Sequence, residues 1–89
     1  MKVEDKEAFY FYETVGNYTG HKANSLEEFA QKLTTVDSKS LEFHLFREDF
    51  EKWVSSSLRI DALAKSIAAV RAQQSRGEDL RNQLHKIFL

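Results

Sequence analysis

Four side chains that could take part in binding or catalysis lie within ten residues of each other: His44, Arg47, Asp49 and Trp53. On a helix, His44 and Arg47 would be neighbours at i, i+3, and Asp49 and Trp53 at i, i+4. A histidine beside a carboxylate can act as a general base, and an arginine can bind an anion through two parallel hydrogen bonds. The alternative is structural: His44 is half-buried with a satisfied ring, Asp49 caps a helix beginning at Phe50, and Arg47 pairs with an acid. We favour the structural role, because one histidine and one aspartate close in sequence are a weak signal.

Other chemistry has less support in the sequence. There is no cysteine to act as a nucleophile or a metal ligand, and His21, His44 and His85 lack metal-ligand spacing. The three glycines do not form a phosphate-binding loop, and nothing activates one hydroxyl in the serine run 55–57. We therefore expect a protein that is not an enzyme and that uses no metal or cofactor.

Three tyrosines are candidate contacts for a ligand or a partner: Tyr10, Tyr12 and Tyr18. Aromatic side chains on strands can stack nucleic-acid bases. However, the region around them holds few basic residues, and the sequence pI is about 6.3. The sequence therefore argues against nucleic-acid binding, which requires a basic surface to hold phosphates.

The charges divide unevenly along the chain. Residues 1–58 contain seven basic and eleven acidic residues, whereas residues 59–89 contain six and three. The two halves can neutralise each other within one fold or across a dimer, which we favour because solvated charged faces are common on small domains. Alternatively, the C-terminal helices face an acidic partner.

Aromatic and β-branched residues from Ala8 to Val15 predict a strand. Phe9, Phe11 and Val15 share one face, and Tyr10, Tyr12 and Thr14 share the other. Gly16-Asn17 is a candidate hairpin turn. The return strand would run over residues 18–23, with Gly20 as a bulge or a bend.

Helices are predicted over the rest of the chain. Ser25 and Glu28 form a capping box ahead of a stripe made of Leu26, Phe29, Ala30 and Leu33. Asp37 caps a second helical region, which over residues 38–58 is either one bent helix or two short ones. Further caps are expected at Asp61 and, as a second capping box, at Ser75 with Glu78.

These elements predict an α+β fold that is predominantly helical, with an N-terminal β-hairpin followed by four or five short amphipathic helices. We expect one domain over residues 1–89, with a loosely ordered charged segment at 1–7. No apolar run has the length of a membrane span, and the charged start does not resemble a signal peptide, so we expect a cytoplasmic protein that does not enter a membrane.

Several segments together resemble a known family. They are Phe9-Tyr10-Phe11, Tyr18-Thr19-Gly20, residues 23–29 (ANSLEEF), residues 40–45 (SLEFHL), Arg47-x-Asp49-Phe50-x-x-Trp53 and Arg76-Gly77-Glu78-x-Leu80-Arg81. The chain is similar to a family of small archaeal and bacterial domains of unknown function. In the family pattern a Leu-Gly-Asp turn precedes the helix near Leu63, where this chain has Leu58-Arg59-Ile60, so we expect Asp61 to take over the cap. The resemblance implies no activity, ligand or catalytic residue.

Two functions follow as expectations. The first is a non-enzymatic protein-interaction or assembly module that binds a protein partner or itself, with a homodimer slightly favoured over a monomer. The alternative is a domain that binds a small molecule or an anion, with or without catalysis, through His44, Arg47, Asp49 and Trp53. A concave pocket exposing His44 and Arg47 together would favour the alternative. A filled core under a flat aromatic surface would favour the interaction module.

Overall fold

A two-stranded antiparallel hairpin begins the fold, and helices follow it. The structure is a computed structural model and describes residues 2–88. Strand β1 spans Phe9–Thr14 and β2 spans Asn17–Ala23. The helices are α1 (Leu26–Leu33), α2 (Ser38–Phe46), α3 (Asp49–Ser56), α4 (Asp61–Gln73) and α5 (Gly77–Lys86). This order confirms the predicted α+β class with its N-terminal hairpin and its predominance of helix.

The hairpin turn lies one residue earlier than the sequence predicts. Thr14 pairs with Asn17, so the connecting residues are Val15 and Gly16, and Gly16 has a φ of +81° that suits a residue without a side chain. The predicted alternation of faces also fails at Val15, which it groups with the buried Phe9 and Phe11, because Val15 is 84% exposed. The pairing register shifts between Tyr12 and Thr14, and this irregularity ends the simple alternation of faces before the chain reaches Val15.

The predicted bulge at Gly20 is confirmed. Tyr10 pairs with Lys22 but Tyr12 pairs with Tyr18, so three residues of β2 lie opposite a single residue of β1. Gly20 has a φ of +88°, which favours glycine. The hydroxyl of Thr19 donates to the Phe11 carbonyl at 2.7 Å and so occupies a backbone group that the bulge leaves unpaired.

Two of the predicted helix caps are confirmed. The Ser25 hydroxyl accepts a hydrogen bond from the Glu28 amide at 3.1 Å, and the Glu28 carboxylate accepts one from the Asn24 amide at 2.7 Å. Asp37 accepts from the Lys39 amide at 2.9 Å. Each cap satisfies a donor that the first helical turn leaves free.

Two other predicted caps are wrong. Ile60 rather than Asp61 precedes α4, and Asp61 is the first helical residue, where it accepts a hydrogen bond from the Ser55 hydroxyl at 3.1 Å. Ser75 accepts from the side-chain amide of Gln83 at 2.7 Å instead of capping α5. The first amide of α5 donates to the Glu42 carboxylate of α2 at 2.8 Å. A residue distant in sequence therefore satisfies the donor that a local cap would satisfy.

Residues 38–58 form two helices. Glu48 has a φ of +67° and a ψ of +20°, which is the left-handed conformation and cannot continue a right-handed helix. Helix α2 therefore ends at Phe46 and α3 starts at Asp49. The reversal at Glu48 places the end of α2 beside the start of α3.

The core is built around aromatic rings. The Phe9 ring centroid lies 4.8 Å from that of Phe11, 5.2 Å from that of Phe50 and 5.6 Å from that of Trp53. Helix α2 packs against β1 and against α3, α4 and α5, which explains why its apolar residues occupy more than one face. Each large apolar side chain removed from water in this way contributes roughly 1.5–3 kcal/mol.

The charged segment before β1, predicted to be loosely ordered, lies against the hairpin. Val3 donates its amide to the Asn24 carbonyl at 2.7 Å, and residues 5–7 form a single 3₁₀ turn. Asp5 pairs with Lys22 of β2 at 2.8 Å. Across residues 2–88, none of the helices combines the length and the apolar character needed to span a bilayer.

Candidate functional site

A cleft of about 650 Å³ opens between the hairpin and the α2–α3 pair. The hairpin, α2 with the residue that follows it, and α3 supply its walls. On α3 the contributing positions are spaced by three, four and seven residues, as a single helical face requires. The lining residues are Phe9, Tyr10, Tyr12, Val15, Gly16, Phe43, His44, Arg47, Asp49, Lys52, Trp53 and Ser56.

His44 lies in the wall of the cleft between β1 and α3. Its Nε2 accepts a hydrogen bond of 2.8 Å from the backbone N–H of Tyr12, and its Nδ1 lies 2.9 Å from a carboxylate oxygen of Asp49. Because a backbone amide can only donate, Nε2 must carry the lone pair, and the proton of the neutral ring sits on Nδ1 and is donated to Asp49. Both ring nitrogens are therefore engaged within the fold.

Burial lowers the pKa of His44 below its ordinary value, because the charged imidazolium would be desolvated. The hydrogen bond and the negative charge of Asp49 act in the opposite direction, and the charge of Arg47 adds to the lowering. The side chain is only 4% exposed. The result is a neutral imidazole whose only lone pair is already accepting a hydrogen bond, which leaves it no means of taking a proton from a substrate.

Arg47 and Asp49 flank the left-handed residue that separates α2 from α3. Nε of Arg47 lies 3.5 Å from the same carboxylate oxygen of Asp49 that contacts His44. The guanidinium carbon sits 4.7 Å from the centroid of the Phe43 ring, and the side chain remains 52% exposed. The pairing of Arg47 with Asp49 agrees with the structural expectation. The expected cap does not, because Glu48 occupies the N-cap position and Asp49 begins the helix.

Trp53 joins the cleft to the core. It is 8% exposed, and its ring centroid lies 5.1 Å from that of Phe29 in α1. Its indole N–H donates to the Glu7 carbonyl at 2.7 Å, which ties the segment before β1 to α3. Trp53 is thus a core residue with one edge in the cleft.

The three candidate tyrosines form a cluster on the hairpin. The Tyr18 ring lies 5.8 Å from that of Tyr10 and 5.4 Å from that of Tyr12. Tyr10 and Tyr12 line the cleft, and the Tyr10 hydroxyl donates to the Asp5 carbonyl at 2.6 Å. Tyr18 does not line the cleft and is 43% exposed. The structure therefore brings two of the three tyrosines together with His44, Arg47 and Asp49.

Phe43 and Lys52 belong to the cleft but are absent from the residues singled out in the sequence. A signal for Lys52 exists, since positions 49, 52, 53 and 56 recur at helical spacing. Phe43 is harder to identify, because an aromatic residue in a buried helix normally reads as core. Among residues 2–88, Lys52 forms no ion pair, and no group of three or more histidine and acidic side chains is placed to hold a metal.

A smaller concavity of about 420 Å³ lies on the other side of Phe43 and is lined in part by Glu13 and Lys39. Its strongest charges serve the fold. Glu42 accepts the first amide of α5, and it lies 3.7 Å from Arg76, whose guanidinium stacks over Phe46. We therefore regard the larger cleft as the candidate site.

Comparison with known proteins places the chain in a family. Residues 5–89 match the family of unknown function DUF5752 over nearly the whole chain. No curated protein and no solved structure matches the sequence. The chain belongs to this family of unknown function, which confirms the predicted resemblance to a small domain of unknown function.

Proposed function

We propose that this domain is a binding module without enzymatic activity, and that its cleft holds a small organic molecule with an apolar body. The cleft itself carries the proposal. Its volume of about 650 Å³ lies within the range of roughly 300–1,000 Å³ that is usual for small-molecule sites. Its walls combine aromatic rings with a few polar groups, which is the usual composition of such a site.

The hydrogen bonds of His44 support binding over catalysis. A general base needs a free lone pair within reach of the substrate, but Nε2 of His44 accepts the Tyr12 amide. Asp49 accepts a hydrogen bond from Nδ1 of His44 and forms an ion pair with Arg47. Ser56 also lines the cleft, but within residues 2–88 no hydrogen bond joins its hydroxyl to a base. These residues are held in place as walls rather than left free as reactants.

A concave pocket that exposes both His44 and Arg47 would favour ligand binding, and the cleft meets this condition only in part. It is bordered by both His44 and Arg47, but only Arg47 is exposed. A ligand would contact the guanidinium of Arg47 directly and would meet the imidazole of His44 only at an edge. We therefore assign Arg47 to ligand contact and His44 to positioning the wall formed by β1.

The test is a screen of small aromatic compounds against the ¹⁵N-labelled protein by amide chemical-shift mapping. We expect compounds that shift the amides of Tyr12, Arg47 and Trp53 together. Ser56→Trp should fill the cleft and abolish these shifts. Ser66→Trp is the matched control, since Ser66 is exposed on α4 outside the cleft. Shifts scattered over the surface, or binding that survives Ser56→Trp, would contradict the proposal.

A second candidate function, self-association, is favoured by a different observation. Val15 and Tyr18 are the large apolar or aromatic side chains most exposed to solvent in residues 2–88, at 84% and 43%, and both lie near the end of the hairpin. Exposed apolar groups that lie together, rather than scattered singly, can mark an interaction site. A second copy of the chain is the partner that requires no further component. The two candidates are separable, because Tyr18 lies outside the cleft.

A further inference from the structure

We propose that the ligand of the cleft is an organic monocarboxylate, whose carboxylate is held by Arg47 with support from Lys52 and whose apolar body lies against Trp53 and the tyrosine wall. This inference rests on the proposed function and adds the chemical class of the ligand. It follows from the charges of the cleft, from the contacts of Arg47 and from the composition of the walls.

The charged groups of the cleft leave an excess of one positive charge. Arg47 and Lys52 are cationic, Asp49 is anionic, and His44 is a neutral ring that donates to Asp49. This local excess stands out against residues 1–58, which contain more acidic than basic residues. An anion with a single charge would complete the balance, whereas a dianion would bring an unpaired charge next to aromatic walls.

Contacts with neighbouring residues hold Arg47 in place but leave part of its guanidinium unpaired. Its guanidinium carbon lies 4.7 Å from the centroid of the Phe43 ring, and its Nε lies 3.5 Å from the Asp49 carboxylate. Within residues 2–88 its two Nη groups donate no hydrogen bond to another residue, so their N–H donors remain free. A planar guanidinium edge with two parallel donors matches a planar carboxylate.

A cationic ligand fits this cleft poorly, although aromatic walls can bind cations. The one carboxylate of the cleft, Asp49, is already engaged by His44 and Arg47. The face of Phe43 is already covered by the guanidinium of Arg47. An incoming cation would therefore meet two cations of like charge and would have to displace one of them.

The apolar body of the ligand has its own place. Trp53 presents an edge to the cleft, and Tyr10 and Tyr12 form the facing wall on β1. Both tyrosine positions are stiffened, since the Tyr10 hydroxyl is bonded to the Asp5 carbonyl and the Tyr12 amide to His44. Such a pre-formed apolar wall needs little reorganisation to accept an aromatic or branched hydrocarbon group.

The decisive measurement compares 3-phenylpropionate with its neutral amide, 3-phenylpropanamide, by amide chemical-shift titration. We expect the carboxylate to bind at least about tenfold more tightly, because charge-assisted hydrogen bonds to an arginine are stronger than neutral ones. Arg47→Gln should remove most of this preference for the carboxylate, with the remainder supplied by Lys52. Lys65→Gln is the control, since Lys65 is exposed on α4 outside the cleft.

Arg47→Lys separates charge from geometry. It keeps the positive charge but loses the two parallel donors, so we expect an affinity for the carboxylate between those of the wild type and Arg47→Gln. Equal binding of acid and amide would overturn this inference while leaving the binding function in place. If neither compound nor any other aromatic compound bound in the cleft, both proposals would fall. Saturable binding of inorganic phosphate that exceeds that of the carboxylate would also overturn the monocarboxylate.

Discussion

The backbone N–H of Tyr12 donates a 2.8 Å hydrogen bond to Nε2 of His44, and this bond joins the edge of β1 to α2. A strand edge normally satisfies its outward amides with another strand or with water. Here a buried side chain 32 residues later in the sequence takes that place. Because Nδ1 of the same ring bonds Asp49, one imidazole links the hairpin, α2 and the start of α3. The ring of His44 also forms part of the wall of the cleft.

The stability of the domain should depend on pH through His44. Burial holds the pKa of its ring below the ordinary value of 6.5 in the folded state. At a pH between the folded-state pKa of His44 and the ordinary value of 6.5, the unfolded chain binds a proton that the folded chain does not. The free energy of unfolding should therefore be level above about pH 6.5 and should fall as the pH is lowered towards the folded-state pKa. Urea unfolding followed by Trp53 fluorescence between pH 5 and pH 8 measures this. The same series on His44→Gln should show a weaker dependence, and an equal dependence would assign the effect to other groups.

His44→Gln should change stability without removing a ligand contact. The substitution disturbs two hydrogen bonds, one accepted from the Tyr12 amide and one donated to Asp49, and an unsatisfied buried group costs about 1–3 kcal/mol. Ligand affinity should stay within a few-fold of the wild type, because the ring reaches the cleft only at its edge. Chemical denaturation and ligand titration on the same sample report the two quantities. Loss of ligand binding with the fold intact would make His44 a contact residue.

Trp53→Ala should unfold the domain or come close to it. The indole packs against Phe9 and Phe29, and its N–H satisfies the Glu7 carbonyl. Removing a side chain of this size from a core costs about 3–5 kcal/mol, which is comparable to the whole stability of a small domain. Circular dichroism during thermal unfolding tests this, with Trp53→Phe as the milder control that keeps most of the packing. A cooperative transition near that of the wild type would place Trp53 outside the core.

Glu48→Gly should be neutral or stabilising, although glycine normally weakens a helical protein. Glu48 holds a φ of +67°, and a residue with a Cβ costs roughly 1 kcal/mol there. Glycine relieves this strain but makes the unfolded chain more flexible. We therefore expect the free energy of unfolding to rise by between zero and about 1 kcal/mol. Lys65→Gly is the matched control: Lys65 is exposed in the interior of α4, and this change should cost about 1 kcal/mol. Equal losses in the two variants would argue against the left-handed turn.

The features that the sequence predicts correctly are local ones. The Ser25–Glu28 box and the Asp37 cap each depend on residues within four positions of each other. The bulge at Gly20 is marked in the sequence by the glycine itself, although its pairing reaches Phe11 across the hairpin. The hairpin turn was misplaced by one residue because its position depends on the pairing register of two strands. The cap predicted at Ser75 failed because Glu42 satisfies the start of α5 from 35 residues away. Spacing alone does not report such distant contacts.

The candidate site shows the same division. His44, Arg47 and Asp49 could be grouped because they are close in sequence, and the structure brings them together. The hydrogen-bond partners of His44 could not all be predicted, since the partner of its Nε2 is the backbone amide of Tyr12 in β1. The role of Lys52 becomes visible only when the α3 face is set against the hairpin. Proximity along the chain identified the residues, and tertiary contact decided which of them remains available to a ligand.

Self-association through the hairpin is the last prediction, and the structure narrows where the contact can form. One edge amide of β1 is taken by His44, and Val3 bonds the Asn24 carbonyl just beyond the end of β2. The most exposed apolar and aromatic groups, Val15 and Tyr18, lie near the end of the hairpin. A contact between two hairpins would be symmetric and closed, which is the commonest arrangement of a small oligomer.

We expect sedimentation at micromolar concentration to show a dimer, with twice the 10.4 kDa mass of the chain. Tyr18→Lys should dissociate this dimer and leave the helical circular dichroism unchanged, because Tyr18 is exposed and lies outside the cleft. Tyr10→Lys and Tyr12→Lys should also dissociate it, but these two variants alter the cleft as well. Ala69→Lys on the exposed side of α4 is the control and should leave the dimer intact. A single species of 10.4 kDa would rule the dimer out. A dimer that resists all three tyrosine variants would place the contact on the helices instead.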